Sequence, residues 1–245
     1  MKNGRMGRSP AERSLIEEAD GNTGEIRRAI ATLFGPGEVV ELRAFKDRTT
    51  ASGYFDDFEK LAERAAELEM RGFAVYVTLN PAKPALLARA QNKIKLHPKA
   101  TTSDADIMCR RWLPVDFDPV RPADVSSTAE EKRAALRRAR EVREHLSEHG
   151  WPDPVAADSG NGAHLLYRVD LPNDRESLEL VKGVLEVLAF KFSDERVSVD
   201  TTTANAARIW KLYGTTARKG DSTEERPHRV SRLLEVPEEV EACRR

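Results

Sequence analysis

A short apolar run that ends in two acids sets the tightest limit on how this chain folds. Residues 112–119 read Trp-Leu-Pro-Val-Asp-Phe-Asp-Pro. The run Trp112–Val115 has the composition of a buried strand, where a carboxylate is costly unless it is paired or bound to a cation. A strand sends alternate side chains to opposite faces, so Asp116 and Asp118 share one face, roughly 6–7 Å apart along the strand. Two carboxylates so placed can share a pair of divalent cations. A second Asp-x-Asp triplet, Asp104 to Asp106, lies in polar sequence and reads as a solvated loop or a helix N-cap.

Around this run, strand-like and helix-like segments alternate, which predicts an α/β or α+β architecture. Residues 24–34 read as a short helix ended by Gly35-Pro36-Gly37, and residues 38–45 and 52–55 as strands of one hairpin. Asp56 with Glu59 reads as a capping box opening a helix to about Arg71, with Gly72 just past its end. Residues 73–79 form an apolar, β-branched run, hence a buried strand. A helix over about 85–92 and a polar loop over 93–103 follow. Beyond the strand 110–118, Thr128 and Glu131 form a second capping box, and the helix they open runs to about His149, where Gly150 ends it. Strands are expected at 163–169, 196–200, 208–213 and 228–233, and an amphipathic helix at 175–192.

Two further stretches carry chemistry. Ser159-Gly160-Asn161-Gly162 is a tight turn by composition, and its glycines let backbone N–H groups approach a ligand. His164 follows at the start of an apolar strand, where an imidazole N–H can donate to a phosphate oxygen. The Lys-Ser/Thr ending of a P-loop is absent, which disfavours a Walker-type ATPase. Asp200 ends the run Val197–Val199. Alone it reads as an N-cap for the threonines that follow, and it becomes a third metal ligand if its strand lies beside the one bearing Asp116. Three hard oxygen ligands with one hydrogen-bond donor suit a divalent metal that holds a nucleotide triphosphate.

The formal net charge is −1, so a uniformly basic coat for nucleic acid is excluded, although a local basic face is not. Between Thr201 and Leu234 the chain carries Arg208, Lys211, Arg218, Lys219, Arg226, Arg229 and Arg232 against Asp221, Glu224 and Glu225, with Trp210 and Tyr213 interleaved. That mixture suits phosphate contact with base stacking, and equally a solvated strand pair with aromatic core anchors. Lys93, Lys95, His97 and Lys99 form a smaller basic loop placed to touch a template backbone. Two distant cysteines argue against a disulfide framework and against a cysteine zinc site, and fit a reducing cytoplasm. No apolar run reaches membrane-spanning length, so no membrane partner is expected. Residues 1–20 read as a flexible basic tail without a signal-peptide core.

The Asp-Phe-Asp strand, the Ser-Gly-x-Gly-x-His turn and the strand-end Asp, in that order, resemble the three motifs of the archaeo-eukaryotic primase superfamily. The likeness is nearest to bacterial, prophage and plasmid primase-polymerases, and Val77–Pro81, Ser159–Tyr167 and Asn205–Thr215 carry it further. The resemblance implies a two-lobed catalytic domain over residues 21–237. An N-terminal α/β lobe would occupy about 21–105 and a palm similar to an RNA-recognition fold about 106–237, with a C-terminal tail over 238–245. It implies that Asp116, Asp118 and Asp200 are the catalytic residues and bind two Mg²⁺ or Mn²⁺ ions. Ser159, Gly160, Gly162, His164, Arg208 and Lys211 would contact the nucleotide triphosphate. Lys93, Lys95, Lys99, Trp210, Arg218 and Lys219 would contact nucleic acid. Many members carry Ser two residues before the histidine; here Gly162 stands there, and backbone N–H groups of the turn are expected to replace the serine. The implied activity is that of a DNA primase or polymerase, adding nucleotides to a primer on a single-stranded DNA template, with a helicase as a further partner. A non-catalytic, replication-initiator-like binding domain and a metal-dependent nuclease are the alternatives.

Overall fold

The computed structural model describes the backbone of residues 10–243 and the side chains of residues 22–243. Helix α1 (Pro10–Leu33) buries Ile26, Ala29, Ile30 and Leu33. It opens at Pro10 rather than near Gly24, since Pro suits the first helical position and Ala11, Glu12, Leu15, Glu17 and Glu18 are good helix formers. The remainder of the expected tail, Met1 to Ser9, lies outside the described residues. Strands β1 (Val40–Lys46) and β2 (Thr49–Phe55) form the expected hairpin, in register from Val40 opposite Phe55 to Lys46 opposite Thr49. Helix α2 (Phe58–Met70) is capped by Asp57, which accepts the Lys60 N–H at 3.1 Å. The expected cap, Asp56, is instead engaged by the Asn92 amide at 2.6 Å. Gly72, at φ +82°, ends α2 as its position predicts.

Strand β3 (Ala74–Thr78) precedes a 3₁₀ turn at Pro84–Leu86 and the single-turn helix α3 (Leu87–Ala90). The helix expected to reach Asn92 stops at Ala90, because Asn92 takes a positive φ and holds the start of α2 through its amide oxygen. The expected loop after it contains a short strand, β4 (Lys95–Leu96), paired with β2. The second half comprises β5 (Cys109–Pro119), α4 (Ala129–Glu148), β6 (Val155–Asp158), β7 (Ala163–Pro172), α5 (Arg175–Phe192) and β8 (Val197–Val199). It ends with β9 (Ile209–Lys211), β10 (Thr216–Ala217), β11 (Arg229–Val230) and β12 (Arg232–Glu235). The Thr128–Glu131 capping box opens α4 as expected. Asp104 to Asp106 is a 3₁₀ turn capped by Ser103, not itself a cap.

The fold is a mixed α/β one built on two five-stranded antiparallel sheets, ordered β4-β2-β1-β3-β9 and β12-β6-β7-β5-β8. The two expected lobes are interleaved in sequence, since β9 returns from the second half to complete the first sheet. Strand alternation sorts the second sheet into two faces. Leu113, Val115, Phe117, Leu165 and Tyr167 pack against α4 and α5. Trp112, Leu166, Val155 and Ala157 point the other way and join α1, α2 and the first sheet in a second core. Asp116 and His164 belong by parity to this second face, at its open end. After β12 the chain returns to the second sheet, where the Cys243 N–H donates to the Arg168 carbonyl at 2.8 Å. Both cysteines are free. Among the described residues no helix is long and apolar enough to cross a membrane.

Candidate active site

The second sheet brings the three acids together. Strand β5 runs between β7 and β8, with Asp116 opposite His164 and Asp118 opposite Ser198. The chain leaves β8 at Asp200, whose N–H donates to the Asp116 carbonyl at 3.0 Å. The condition that made Asp200 a candidate ligand, a strand beside that of Asp116, is therefore met. Asp200 is also the N-cap of the following turn, its carboxylate accepting the Thr202 N–H at 2.8 Å. Asp116, Asp118, Asp200, His164 and Arg208 all line one cleft of about 170 Å³ between the two sheets.

The electrostatics of this cleft are strained in a particular way. Burial, then the neighbouring Asp116 charge, push the Asp118 carboxyl up, against the pull of Lys219 and Arg121. Arg121 reaches one Asp118 oxygen at 3.3 Å. Asp116 Oδ1 is buried without a hydrogen-bond partner, and the nearest cation-forming group, His164 Nε2, stands 3.5 Å away. Arg208 donates from Nη2 to the Thr202 carbonyl, while its Nε is buried and unpartnered. Orphaned buried polar atoms of both signs thus share the wall of one cleft. Among the described residues no group of three or more His, Cys, Asp or Glu stands close enough to hold an ion as placed. The donor chemistry nevertheless fits a hard divalent cation, because all three acids offer oxygen and Asp116 has one oxygen with no other engagement.

The glycine turn serves a different purpose from the one expected. Gly160 N–H donates to Asp158 Oδ1 at 2.7 Å, and Gly162 N–H donates to Ser159 Oγ at 2.8 Å. Both amides are engaged inside the turn, so Gly160 and Gly162 do not present free N–H groups to a phosphate. Gly162 is required by close approach: a Cβ there would stand 2.1 Å from the Phe117 carbonyl oxygen. A serine at this position would part β5 from β7. Ser159 and Asn161 do line the cleft.

Most of the basic segment is engaged internally, two of its seven cations by carboxylates. Arg218 binds Glu69 at 2.8 Å, Arg226 binds Glu131 at 2.8 Å, and Arg229 donates to the Ser127 carbonyl at 2.7 Å. Lys211 is buried and donates to the Thr216 and Val75 carbonyls, and burial pushes its ammonium down to about 7. Trp210 is 3% exposed and Tyr213 fully buried, so neither offers a face for base stacking; they are the core anchors of the other reading. Lys219 lines the cleft and is exposed. Lys93, Lys95 and Lys99 are exposed at the β4 edge of the first sheet, opposite the β9 edge that borders the cleft.

The sequence pattern missed Arg121 and the roles that Asn161 and Tyr213 play. Arg121 stands three residues past Asp118, a spacing that places a cation beside the acid. Asn161 accepts the Ser127 N–H at 2.9 Å and fixes the turn to the loop before α4. Nothing local marks Tyr213, whose hydroxyl meets His164 Nδ1 at 2.9 Å across 49 residues of chain.

No family model matches this chain, and no curated protein does. Two solved structures are similar to it. One is a crystal structure of primase RepB′, with 12% sequence identity, a TM-score of 0.48, and coverage of 87% of this chain and 56% of that one. The other is a crystal structure of the catalytic domain of primase RepB′ in complex with initiator DNA, with 12% identity, a TM-score of 0.47, and coverage of 87% of this chain and 84% of that one. The chain spans little more than half the length of the first.

Proposed function

We propose that this chain is a template-directed nucleotidyltransferase, a DNA primase or polymerase core that extends a 3′-hydroxyl on single-stranded DNA. One observation carries the reading. A buried, unpartnered carboxylate oxygen of Asp116 and a buried, unpartnered guanidinium nitrogen of Arg208 line the same cleft. A cation-bound phosphate satisfies both at once, and few other ligands do. Asp116, Asp118 and Asp200 would hold two Mg²⁺ or Mn²⁺ ions, which when bound supply Lewis-acid stabilisation of the phosphoryl oxygens and a more acidic attacking hydroxyl. Arg208 directs an N–H at the phosphate charge, and His164 offers a second donor beside it. The carboxylates repel one another without a ligand, and that repulsion is the cost of keeping the site ready. No protein nucleophile is needed.

The test is a gel assay on primed and unprimed single-stranded DNA, with Mg²⁺ or Mn²⁺ and with dNTPs or NTPs. The control is the double variant Asp116→Asn/Asp118→Asn. Products that need metal and vanish in the double variant are expected; products on unprimed template add primase activity. The same variant should melt no lower than the parent, because it relieves the repulsion that raises Asp118. Strand degradation without added nucleotides would instead reveal a nuclease. Tight, salt-sensitive binding with no turnover would leave a binding domain.

A further inference from the structure

His164 is held by two aromatic side chains, Trp210 of β9 and Tyr213 of the turn that follows it, and together they determine where its proton sits. Trp210 Nε1–H donates to the Tyr213 hydroxyl oxygen at 2.9 Å. Indole nitrogen is a donor and never an acceptor, so the Tyr213 oxygen is the acceptor in this contact. The same oxygen stands 2.9 Å from His164 Nδ1. Tyr213 is fully buried, and among the described residues His164 Nδ1 is the acceptor within reach of its hydroxyl proton. Were Nδ1 protonated, the Tyr213 proton would be buried without a partner, which proteins avoid. Burial also pushes the Tyr213 phenol up, so it keeps its proton.

The opposite side of the ring gives the same answer independently. His164 Nε2 faces Asp116 Oδ1 at 3.5 Å. A lone pair there would confront a carboxylate, whereas an N–H is attracted to it. The distance is too long for a formed hydrogen bond, which leaves that N–H for a ligand. The Trp210 ring packs on the imidazole with centroids 4.1 Å apart and restricts its rotation.

We infer that Trp210 and Tyr213 form a relay that fixes His164 in its Nε2–H tautomer, making it a standing donor to a phosphate oxygen of the nucleotide. Tyr213 is then a positioning residue, acting through His164 and not on the substrate. The ligand named here rests on the nucleotidyltransferase reading; the tautomer does not. The relay also joins the two sheets, since Trp210 belongs to β9 and His164 to β7.

The experiment is long-range ¹H–¹⁵N correlation of histidine-labelled protein in alkaline buffer, with His164→Gln assigning the His164 signals among the five histidines. The parent protein should show Nε2 protonated and Nδ1 bare, and Tyr213→Phe should shift His164 to a mixture of tautomers, with a lower Tm because Trp210 Nε1–H loses its acceptor. In nucleotide addition, Tyr213→Phe should raise KM for the nucleotide about tenfold, the equivalent of one hydrogen bond at 1.4 kcal/mol per decade, with kcat nearly unchanged. A parent His164 protonated at Nδ1 overturns the relay whatever the activity. An unchanged KM in Tyr213→Phe overturns its link to the nucleotide. If the tautomers behave as stated and the parent adds no nucleotide, the relay stands and the functional reading falls.

Discussion

At the scale of single residues, the cleft depends on atoms that are missing as much as on those present. Gly162 lies where β5 and β7 come closest, and a Cβ on it would meet the Phe117 carbonyl oxygen at 2.1 Å and Pro119 Cδ at 3.3 Å. Phe117 sits between Asp116 and Asp118, so any separation there carries both acids with it. Gly162→Ala should therefore cost about 1–3 kcal/mol of stability by overpacking, and reduce nucleotide addition beyond what the lower stability explains. Gly183, half-buried in the middle of α5, has open space where a Cβ would stand, and Gly183→Ala should stabilise by about 0.5–1 kcal/mol through helix propensity. Denaturant midpoints of the two variants should move in opposite directions; a neutral Gly162→Ala would mean that β5 and β7 yield without strain. The turn itself is legible in Ser159-Gly-Asn-Gly. Which backbone it abuts is not, because that approach joins residues far apart in the chain.

At the scale of elements, what the sequence reveals and what it conceals divide along local lines. The Thr128–Glu131 box, the hairpin of β1 with β2, the Asp116–Asp118 strand and α5 all rest on short-range patterns, and all form where expected. Strand β6, four residues of Val-Ala-Ala-Asp, is too short to show a period, and β9 is recognisable as a strand without any sign that it pairs with β3. That pairing leaves Lys211 in the wall of the cleft but turns its ammonium toward the backbone. Its ammonium bonds the Thr216 and Val75 carbonyls, and burial lowers it to about 7. Between about pH 7 and the ordinary lysine value the unfolded chain binds the proton that the folded chain has released. Stability contributed by this group therefore rises with pH across that window, with a slope approaching about 1.4 kcal/mol per pH unit. Lys211→Met should flatten the rise. Denaturant titrations of both proteins through this range should give curves that converge as pH increases; parallel curves would show that Lys211 stays charged in the fold.

At the scale of the whole molecule, the distribution of charge decides how nucleic acid would lie on it. The net charge is −1, so attraction must come from local groups. Composition suggests the segment after Thr201, but composition does not report pairing: Arg218 holds Glu69 of α2, Arg226 holds Glu131 of α4 and Arg229 holds the Ser127 carbonyl before α4, and together they fasten the β10–β11 hairpin to both helices. Lys219 apart, a cluster of exposed lysines lies elsewhere, at the β4 edge, four strand spacings or roughly 19 Å across the first sheet from β9. A template strand bound in the cleft and extended over that sheet would meet Lys93, Lys95 and Lys99 well away from the acids. The triple alanine variant should weaken single-stranded DNA binding at low salt. It should also reduce the slope of log affinity against log salt by up to about 2, at about 0.7 for each phosphate that is no longer neutralised. Its KM for nucleotide on a short primer should be unchanged, since no lysine of the three borders the cleft. Arg218→Ala should do the reverse, lowering Tm by breaking a part-buried pair with Glu69 while leaving the salt slope alone. Fluorescence anisotropy across a salt series separates the two. If Arg218→Ala flattens the slope and the triple variant does not, the template runs over the hairpin, and the first sheet is scaffold alone.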